Sequence, residues 1–180
     1  MEALEDERLG DGRGKPGLPA TPAPDMRLVV QRVTSGSVTW DEAQEKRSAT
    51  IGLGFVLLVG AGSDDDDATI RRLADKVIDL RVFADDAGRM NLSLVDVGGA
   101  ALIVSQFTLF ADMSRGRRPS LLGAGDPKRA EDLYLAFVQR FRERGIDTKT
   151  GSFGAVMTVG IENDGPVTLV LSSDDWPTRV

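Results

Sequence analysis

The chain has 180 residues, with 28 acidic and 22 basic side chains and a formal net charge of −6. It contains neither cysteine nor histidine, which excludes disulfides, thiolate nucleophiles, every Ser-His or Cys-His arrangement and the most common transition-metal ligand. Any catalysis must therefore use carboxylates, hydroxyls, amides, backbone groups or the substrate itself, and we expect neither a metal nor a cofactor.

The first 25 residues differ in composition from the rest of the chain. They hold four of the eight prolines and four of the twenty glycines without an apolar run, so they cannot bury enough surface to offset the entropy lost on ordering. They lack the apolar segment of a secretory signal, and no later window reaches the length of a membrane span. We predict a disordered tail over 1–25, a single domain over 26–180, and a cytoplasmic protein with no membrane partner.

The domain that starts at Met26 is only mildly acidic, because the tail carries six acids and three bases and leaves 22 acids and 19 bases. A basic face for broad binding to nucleic-acid backbone is therefore not predicted. A small local site stays open. The group Arg115, Arg117 and Arg118 is either a solvated loop or a set of planar donors for phosphate.

Three strands and a helix are predicted in the first half of the domain. Apolar and polar residues alternate in RLVVQRVTSGSVTW on both sides of a Ser-Gly-Ser break, which predicts a strand pair followed by a charged connection, DEAQEKRS. Phe55–Val59 is bounded by glycines, as is typical of a fully buried strand. A helix with a Ser63–Asp66 capping box follows. Its apolar residues at helical spacing are Ile70, Leu73, Val77 and Leu80.

The second half is predicted to contain strands around a second helix. RVFADDAGRMNLSL indicates a strand, a turn at Asp85–Gly88 and a short return, and AALIVSQFTLFAD indicates a long strand. Asp126 as N-cap with Pro127 behind it starts a helix that ends at Gly145. Two closing strands flank NDGP, where a hairpin with a trans Gly165–Pro166 bond is the default. The order of elements predicts an α+β fold with a mainly antiparallel, barrel-like sheet and two principal helices.

Two glycine pairs, Gly52-x-Gly54 and Gly60-x-Gly62, superficially match a dinucleotide-binding loop. The first pair precedes its strand, and the second leads directly into Asp64–Asp67, whose charge would repel a pyrophosphate. These aspartates also lack the alternating spacing of a calcium loop. We interpret them as a first helical turn that matches the helix dipole.

The segment SQFTL ends a predicted core strand with unexpected polarity. Ser105, Gln106 and Thr108 surround Phe107. Backbone N–H groups, an amide and hydroxyls at a strand end suit a carbonyl whose oxygen becomes negative during attack. The same groups could merely satisfy the following loop, so the residues alone leave both interpretations open.

Six segments in order resemble the D-aminoacyl-tRNA deacylase family. They are MRLVVQRVTSGSVT, LRVFADDAGRMNLSL, VSQFTLFAD, GRRPS, TGSFGAVMTV and NDGPVT, and the resemblance extends from Met26 to about Leu171. The family's pattern begins at Met26, so residues 1–25 are an addition to it. The resemblance implies a homodimeric hydrolase that cleaves the ester between a D-amino acid, or glycine, and the terminal adenosine of tRNA as a chiral proofreading step.

The resemblance also assigns residues to an active site at the dimer interface. Ser105, Gln106, Phe107 and Thr108 would form its catalytic side, and Phe153, Gly154, Ala155 and Met157 its other wall. Gly165–Pro166 would be cis and would reach from one subunit into the site of the other, where it would reject an L side chain. Arg32 would hold that incoming loop through hydrogen bonds to its carbonyls.

Several mechanisms and functions remain open on the sequence alone. Thr108 could be a nucleophile but has no obvious base, so we favour a route in which the 2′-hydroxyl of the terminal ribose helps to activate water. One alternative function is a non-catalytic module that binds RNA or DNA ends. Another is an amidase or esterase with a threonine nucleophile.

Overall fold

The computed structural model describes residues 26–62, 65–114, 116–121, 124 and 126–173. The predicted tail, 1–25, lies outside this part, so its disorder stays a prediction. The strands are β1 (Arg27–Glu42), β2 (Glu45–Ile51), β3 (Gly54–Gly60), β4 (Phe83–Ala84), β5 (Met90–Leu92), β6 (Ala100–Ser105), β7 (Thr148–Thr150) and β8 (Met157–Ser172). The helices are α1 (Asp67–Ile78), a 3-10 turn (Phe107–Phe110) and α2 (Pro127–Glu143).

Two predicted hairpins are wrong, because the chain does not reverse at either break. Ser35–Ser37 lies inside β1, and NDGP lies inside β8. The two long strands pair antiparallel from Arg27–Ser172 to Trp40–Met157, with register shifts between Gln31 and Ser35. Ser35–Ser37 pairs in regular register with Gly160–Glu162. The NDGP residues are accommodated as a bulge opposite Gln31–Val33, since a paired strand can carry extra residues without changing direction.

The predicted charged connection DEAQEKRS is instead a tight hairpin. β1 runs to Glu42 and β2 starts at Glu45. Ala43 and Gln44 form the two-residue loop with φ of 49° and 68°. Positive φ at both central residues is the geometry that matches the twist of the flanking strands.

The main sheet is mixed, which corrects the antiparallel prediction. Its order is β2-β1-β3-β6-β7. β3 pairs with the first half of β1 and β2 with the second half, and β8 pairs with β1 along nearly its whole length. β3 pairs parallel with β6, and β6 pairs parallel with β7. Each parallel pair is connected through a long segment that contains a helix, as parallel neighbours require. β2 approaches β6 and β7, so the sheet curls into a nearly closed, barrel-like form.

Both predicted helices are confirmed, and each starts with an aspartate cap. The side chain of Asp66 accepts from Thr69 N at 2.7 Å, so α1 is capped by Asp66 and the predicted capping box with Ser63 is wrong; Ser63 itself lies outside the described residues. Asp126 caps α2 by accepting from Arg129 N at 2.8 Å, with Pro127 at the first helical position. No helix in the described ranges combines the length and apolarity needed to cross a bilayer.

The helices cover one face of the sheet, and the curled sheet encloses the other. Alternate residues of β3 face opposite ways: Phe55 and Leu57 pack with the helices, whereas Val56 packs inside the curl. Both sets are buried, which confirms β3 as a strand buried on both faces. Gly54 is needed here because a Cβ would collide with the carbonyl oxygen of Ala100 on β6.

Candidate active site

A cavity of about 210 Å³ opens where β3 and β6 end. The strands run parallel, so their carboxyl ends meet at one edge of the sheet, and polar groups that follow them come together there. One wall consists of Ser105, Gln106 and Phe107, and the other of Phe153, Gly154, Ala155 and Met157. The structure thus brings together seven of the eight residues predicted for the two walls.

Thr108, the eighth, is exposed and does not line the cavity, but it directly follows the first wall in the chain. Its Oγ1 accepts a hydrogen bond from Nε2 of Gln106. An amide cannot take a proton from a hydroxyl at neutral pH. Gln106 therefore orients Thr108 but does not activate it.

The segment after Ser105 is a 3-10 turn, which corrects the prediction of a strand through AALIVSQFTLFAD. The chain leaves the sheet when Gln106 N donates to Val59 O at 2.7 Å, and the turn closes with Leu109 N donating to Gln106 O at 3.3 Å. The first N–H groups of such a turn have no acceptor within it. Within the described part of the chain, the amides of Phe107 and Thr108 have no hydrogen-bond partner.

Tyr134 forms part of the cavity lining and was not among the predicted site residues. The residue is 3% exposed, its hydroxyl donates to Ile103 O at 2.8 Å, and its ring lies 5.7 Å from that of Phe153. Burial raises the pKa of Tyr134 above its ordinary value, so the phenol stays neutral and acts as a support. A hydroxylated aromatic on the apolar stripe of α2 was the available signal.

Gly165–Pro166 protrudes from β8 and is exposed. Its peptide bond is cis, not in the trans form that proline frequencies alone favour. Neither residue lines the cavity described above. The loop of one chain is thus separate from that chain's own cavity.

Arg32 lies against the Gly165–Pro166 loop of its own chain. Its Nε is 2.8 Å from Oδ2 of Asp164, and Nη1 donates to Val82 O. Arg32 is well buried, with 11% of its side chain exposed. The predicted contact between Arg32 and the loop of a partner subunit stays a prediction.

Asn163 closes the base of the same loop. Its Nδ2 donates to Arg32 O at 2.8 Å and to Val167 O at 3.0 Å. One amide therefore joins β1 to both ends of the bulge. Together with the Arg32–Asp164 ion pair, it fixes how Gly165–Pro166 is presented.

The cavity is uncharged. Its lining among the described residues carries no ionisable group except the neutral Tyr134. In the same described ranges, three or more acidic side chains do not converge at any point as metal ligands would. The site can position a carbonyl and donate hydrogen bonds, and its apolar wall excludes water from part of it.

Comparison with known proteins agrees with this geometry. The profile of the D-Tyr-tRNA(Tyr) deacylase family matches residues 29–172. A D-aminoacyl-tRNA deacylase of Thermomicrobium roseum is 51% identical over 148 residues, which cover 82% of this chain and 94% of the relative. One of Fervidobacterium nodosum is 50% identical over 82% of this chain and 97% of the relative.

Two solved structures share the fold. One, described as c-Myc DNA Unwinding Element Binding Protein, is 37% identical with a TM-score of 0.72 and covers 81% of this chain and 97% of its own. The other, described as a probable eukaryotic D-amino acid tRNA deacylase, has a TM-score of 0.70 over 82% of this chain and 98% of its own. Its 18% identity shows likeness of fold alone.

The fold, the uncharged cavity at the strand ends and these matches define a hydrolase of the class that acts on aminoacyl-tRNA. Within that class, the family profile spans almost the whole described domain, and the relatives are about half identical to it. The chain belongs to the D-aminoacyl-tRNA deacylase family.

Proposed function

We propose that the protein hydrolyses the ester of D-aminoacyl-tRNA, and of glycyl-tRNA, and releases amino acid and tRNA as a chiral proofreading step in the cytoplasm. The cavity at the ends of β3 and β6 carries this proposal. Polar groups of Ser105 and Gln106 meet an apolar wall there, beside the N–H groups of Phe107 and Thr108, for which the described residues provide no acceptor. Fixed donors of this kind stabilise the oxygen that becomes negative when water attacks an ester.

The attacking water is activated by the substrate in this proposal. Thr108 Oγ1 is bonded to an amide, and the cavity lining among the described residues offers no carboxylate as general base. The 2′-hydroxyl of the terminal ribose is adjacent to the ester and is held in place when the adenosine binds. Holding a reacting group in this way replaces a bimolecular encounter with a positioned one.

Chiral selection is assigned to Gly165–Pro166 of a second copy of the chain. The pair is exposed, lies outside its own chain's cavity and is held by Asn163 and Arg32. In a homodimer, its carbonyls would receive the ammonium of a D-aminoacyl group or glycine, whereas an L side chain would collide with them. Rejection by rigid backbone is effective because backbone cannot be repacked around a larger ligand.

The test is hydrolysis of matched D- and L-tyrosyl-tRNA, and of glycyl-tRNA, with release of labelled amino acid as the measurement. We expect rapid loss of the D and glycyl esters and little loss of the L ester. Equal rates on the D and L substrates would contradict the selectivity, and the absence of any hydrolysis would contradict the function. A tRNA that ends in 2′-deoxyadenosine and carries the D ester is the control for the role of the hydroxyl, and it should react slowly.

Binding of nucleic-acid ends without hydrolysis is the second candidate. The description of one structural relative names a DNA-unwinding-element binding protein. A module that only binds would retain uncharged tRNA or single-stranded DNA in a filter assay and leave D-tyrosyl-tRNA intact. Turnover of the charged tRNA would distinguish the enzyme from this module.

A further inference from the structure

Arg27, the first residue of β1, contacts the 3-10 turn at the edge of the cavity. Its Nη1 donates to Leu109 O at 2.9 Å, and its guanidinium lies 5.1 Å from the centre of the Phe110 ring. A planar cation that stacks on a ring and donates to a carbonyl fixes both distance and orientation. The two contacts fall on consecutive residues of one short turn.

Gly60 makes this contact possible. Arg27 and Gly60 are directly paired between β1 and β3. A Cβ on Gly60 would come within 3.0 Å of the Phe110 ring and 3.1 Å of Gln106 O. The turn therefore packs directly against the backbone of Gly60 at the end of β3, and Arg27 contacts the turn from the neighbouring strand.

Hydrogen bonds within the turn leave its position under-determined. Gln106 N is fixed to Val59 O, and Ala111 N donates to Thr108 O at 3.0 Å. Between these two points, the positions of the Phe107 and Thr108 N–H groups depend on how the whole turn is placed. Arg27 supplies a side-chain anchor at the far end of that segment.

We propose that Arg27 is a positioning residue that holds the N–H groups of Phe107 and Thr108 where the ester oxygen becomes negative. This inference rests on the proposed function, because the oxygen is that of the aminoacyl ester. Arg27 does not touch the reacting atoms; it acts through Leu109 and Phe110. Its loss should impair the transition state more than substrate binding, since the donors matter most when charge develops.

The experiment compares the full-length wild type with Arg27→Met, Arg27→Lys and Arg144→Met on D-tyrosyl-tRNA. Arg144→Met is the matched control, because Arg144 is also a half-buried anchor, paired with Asp75 and Asp79 between the helices and remote in sequence from the turn. We expect kcat of Arg27→Met to fall by about 10- to 100-fold with KM nearly unchanged, the scale for a small misplacement of catalytic groups. Arg27→Lys should recover part of kcat, since an ammonium can still donate to Leu109 O.

Other roles give different results. If Arg27 contacted only tRNA phosphate, Arg27→Met would raise KM and reduce the salt dependence of KM while kcat stays constant. If Arg27 only stabilised the fold, Arg27→Met would lower Tm as Arg144→Met does, with kcat retained. Either pattern would overturn the proposal.

The activity of the wild type distinguishes a failure of this inference from a failure of the proposed function. If the wild type does not hydrolyse the substrate, the function fails, and the anchor is still tested by NMR. The amide resonances of Phe107 and Thr108 should then shift in Arg27→Met and stay in place in Arg144→Met. Unchanged resonances in Arg27→Met would overturn the anchor.

Discussion

Thr108 is the residue at which the two mechanisms give different expectations. If the ribose hydroxyl drives the attack, Thr108→Ala should keep activity within about tenfold of wild type, since only the hydrogen bond from Gln106 is lost. A true nucleophile would cost about 10⁴-fold or more when removed. Single-turnover rates on D-tyrosyl-tRNA measure the difference.

Thr108→Ser is the matched variant for this test. Serine keeps a hydroxyl at the same position, so it would restore a nucleophile. A large loss in Thr108→Ala that Thr108→Ser rescues would show that the threonine attacks the ester. Equal, small effects in both variants would support the substrate-assisted route.

Among the contacts between secondary-structure elements, a cluster of ion pairs joins α1 to α2. Asp75 on α1 accepts from Arg140 at 2.9 Å and from Arg144 at 2.7 Å. The hydrogen bond from Arg140, followed by that from Arg144, lowers the pKa of Asp75 despite its partial burial. A carboxyl with a depressed folded pKa adds stability above its unfolded pKa and loses it as the pH falls through the folded value.

Asp75→Asn should therefore destabilise the protein by about 1–2 kcal/mol at pH 7, the scale of charge-assisted bonds at a partly exposed site. The difference from wild type should shrink below about pH 4, where Asp75 itself becomes protonated in the unfolded and then the folded state. Urea unfolding at pH 7 and pH 3 measures this difference in the free energy of unfolding. Asp67→Asn, which removes an exposed pair with Arg71, is the control and should change stability by less than about 0.5 kcal/mol. A pH-independent effect of Asp75→Asn would contradict the assignment to ion pairing.

The whole molecule is proposed to work as a dimer in which each loop completes the other chain's site. Two variants test this, one in the loop and one in the cavity. In Gly165→Ala, a Cβ would lie 2.8 Å from Arg32 Nη2 at a φ of 114°, so the loop must shift. In Ala155→Trp, a large ring fills the cavity wall. Each variant alone should be nearly inactive.

Co-expression of the two variants with different tags should restore activity. A mixed dimer contains one intact cavity facing one intact loop, and its second site lacks both. Because about half of the dimers in a random mixture are mixed, about a quarter of all sites should work. Double-tag purification isolates the mixed dimer for the assay. If that dimer is no more active than its parents, the loop serves its own chain and the cross-subunit proposal is wrong.

Local sequence patterns determined which elements exist. The apolar stripe and the Asp126–Pro127 start predict α2, and the glycine-bounded run predicts β3, because helix periodicity, capping and burial are written in neighbouring residues. The polar groups of SQFTL suggested a site without deciding it, and the family resemblance favoured that interpretation and named the opposite wall. These features depend on short segments of chain.

The tertiary structure decided how the segments pair and what lies beneath the site. Nothing local distinguishes a turn from a continuous or bulged strand, so Ser35–Ser37 became regular strand and NDGP a bulge only because β1 and β8 pair along their whole length. The direction of β6 depends on the crossover that precedes it, which makes the sheet mixed. Tyr134 beneath the cavity and Arg27 on the turn are separated from SQFTL by many residues. Their roles appear only when the strand ends meet, because packing between distant segments is set by the whole fold and not by adjacent residues.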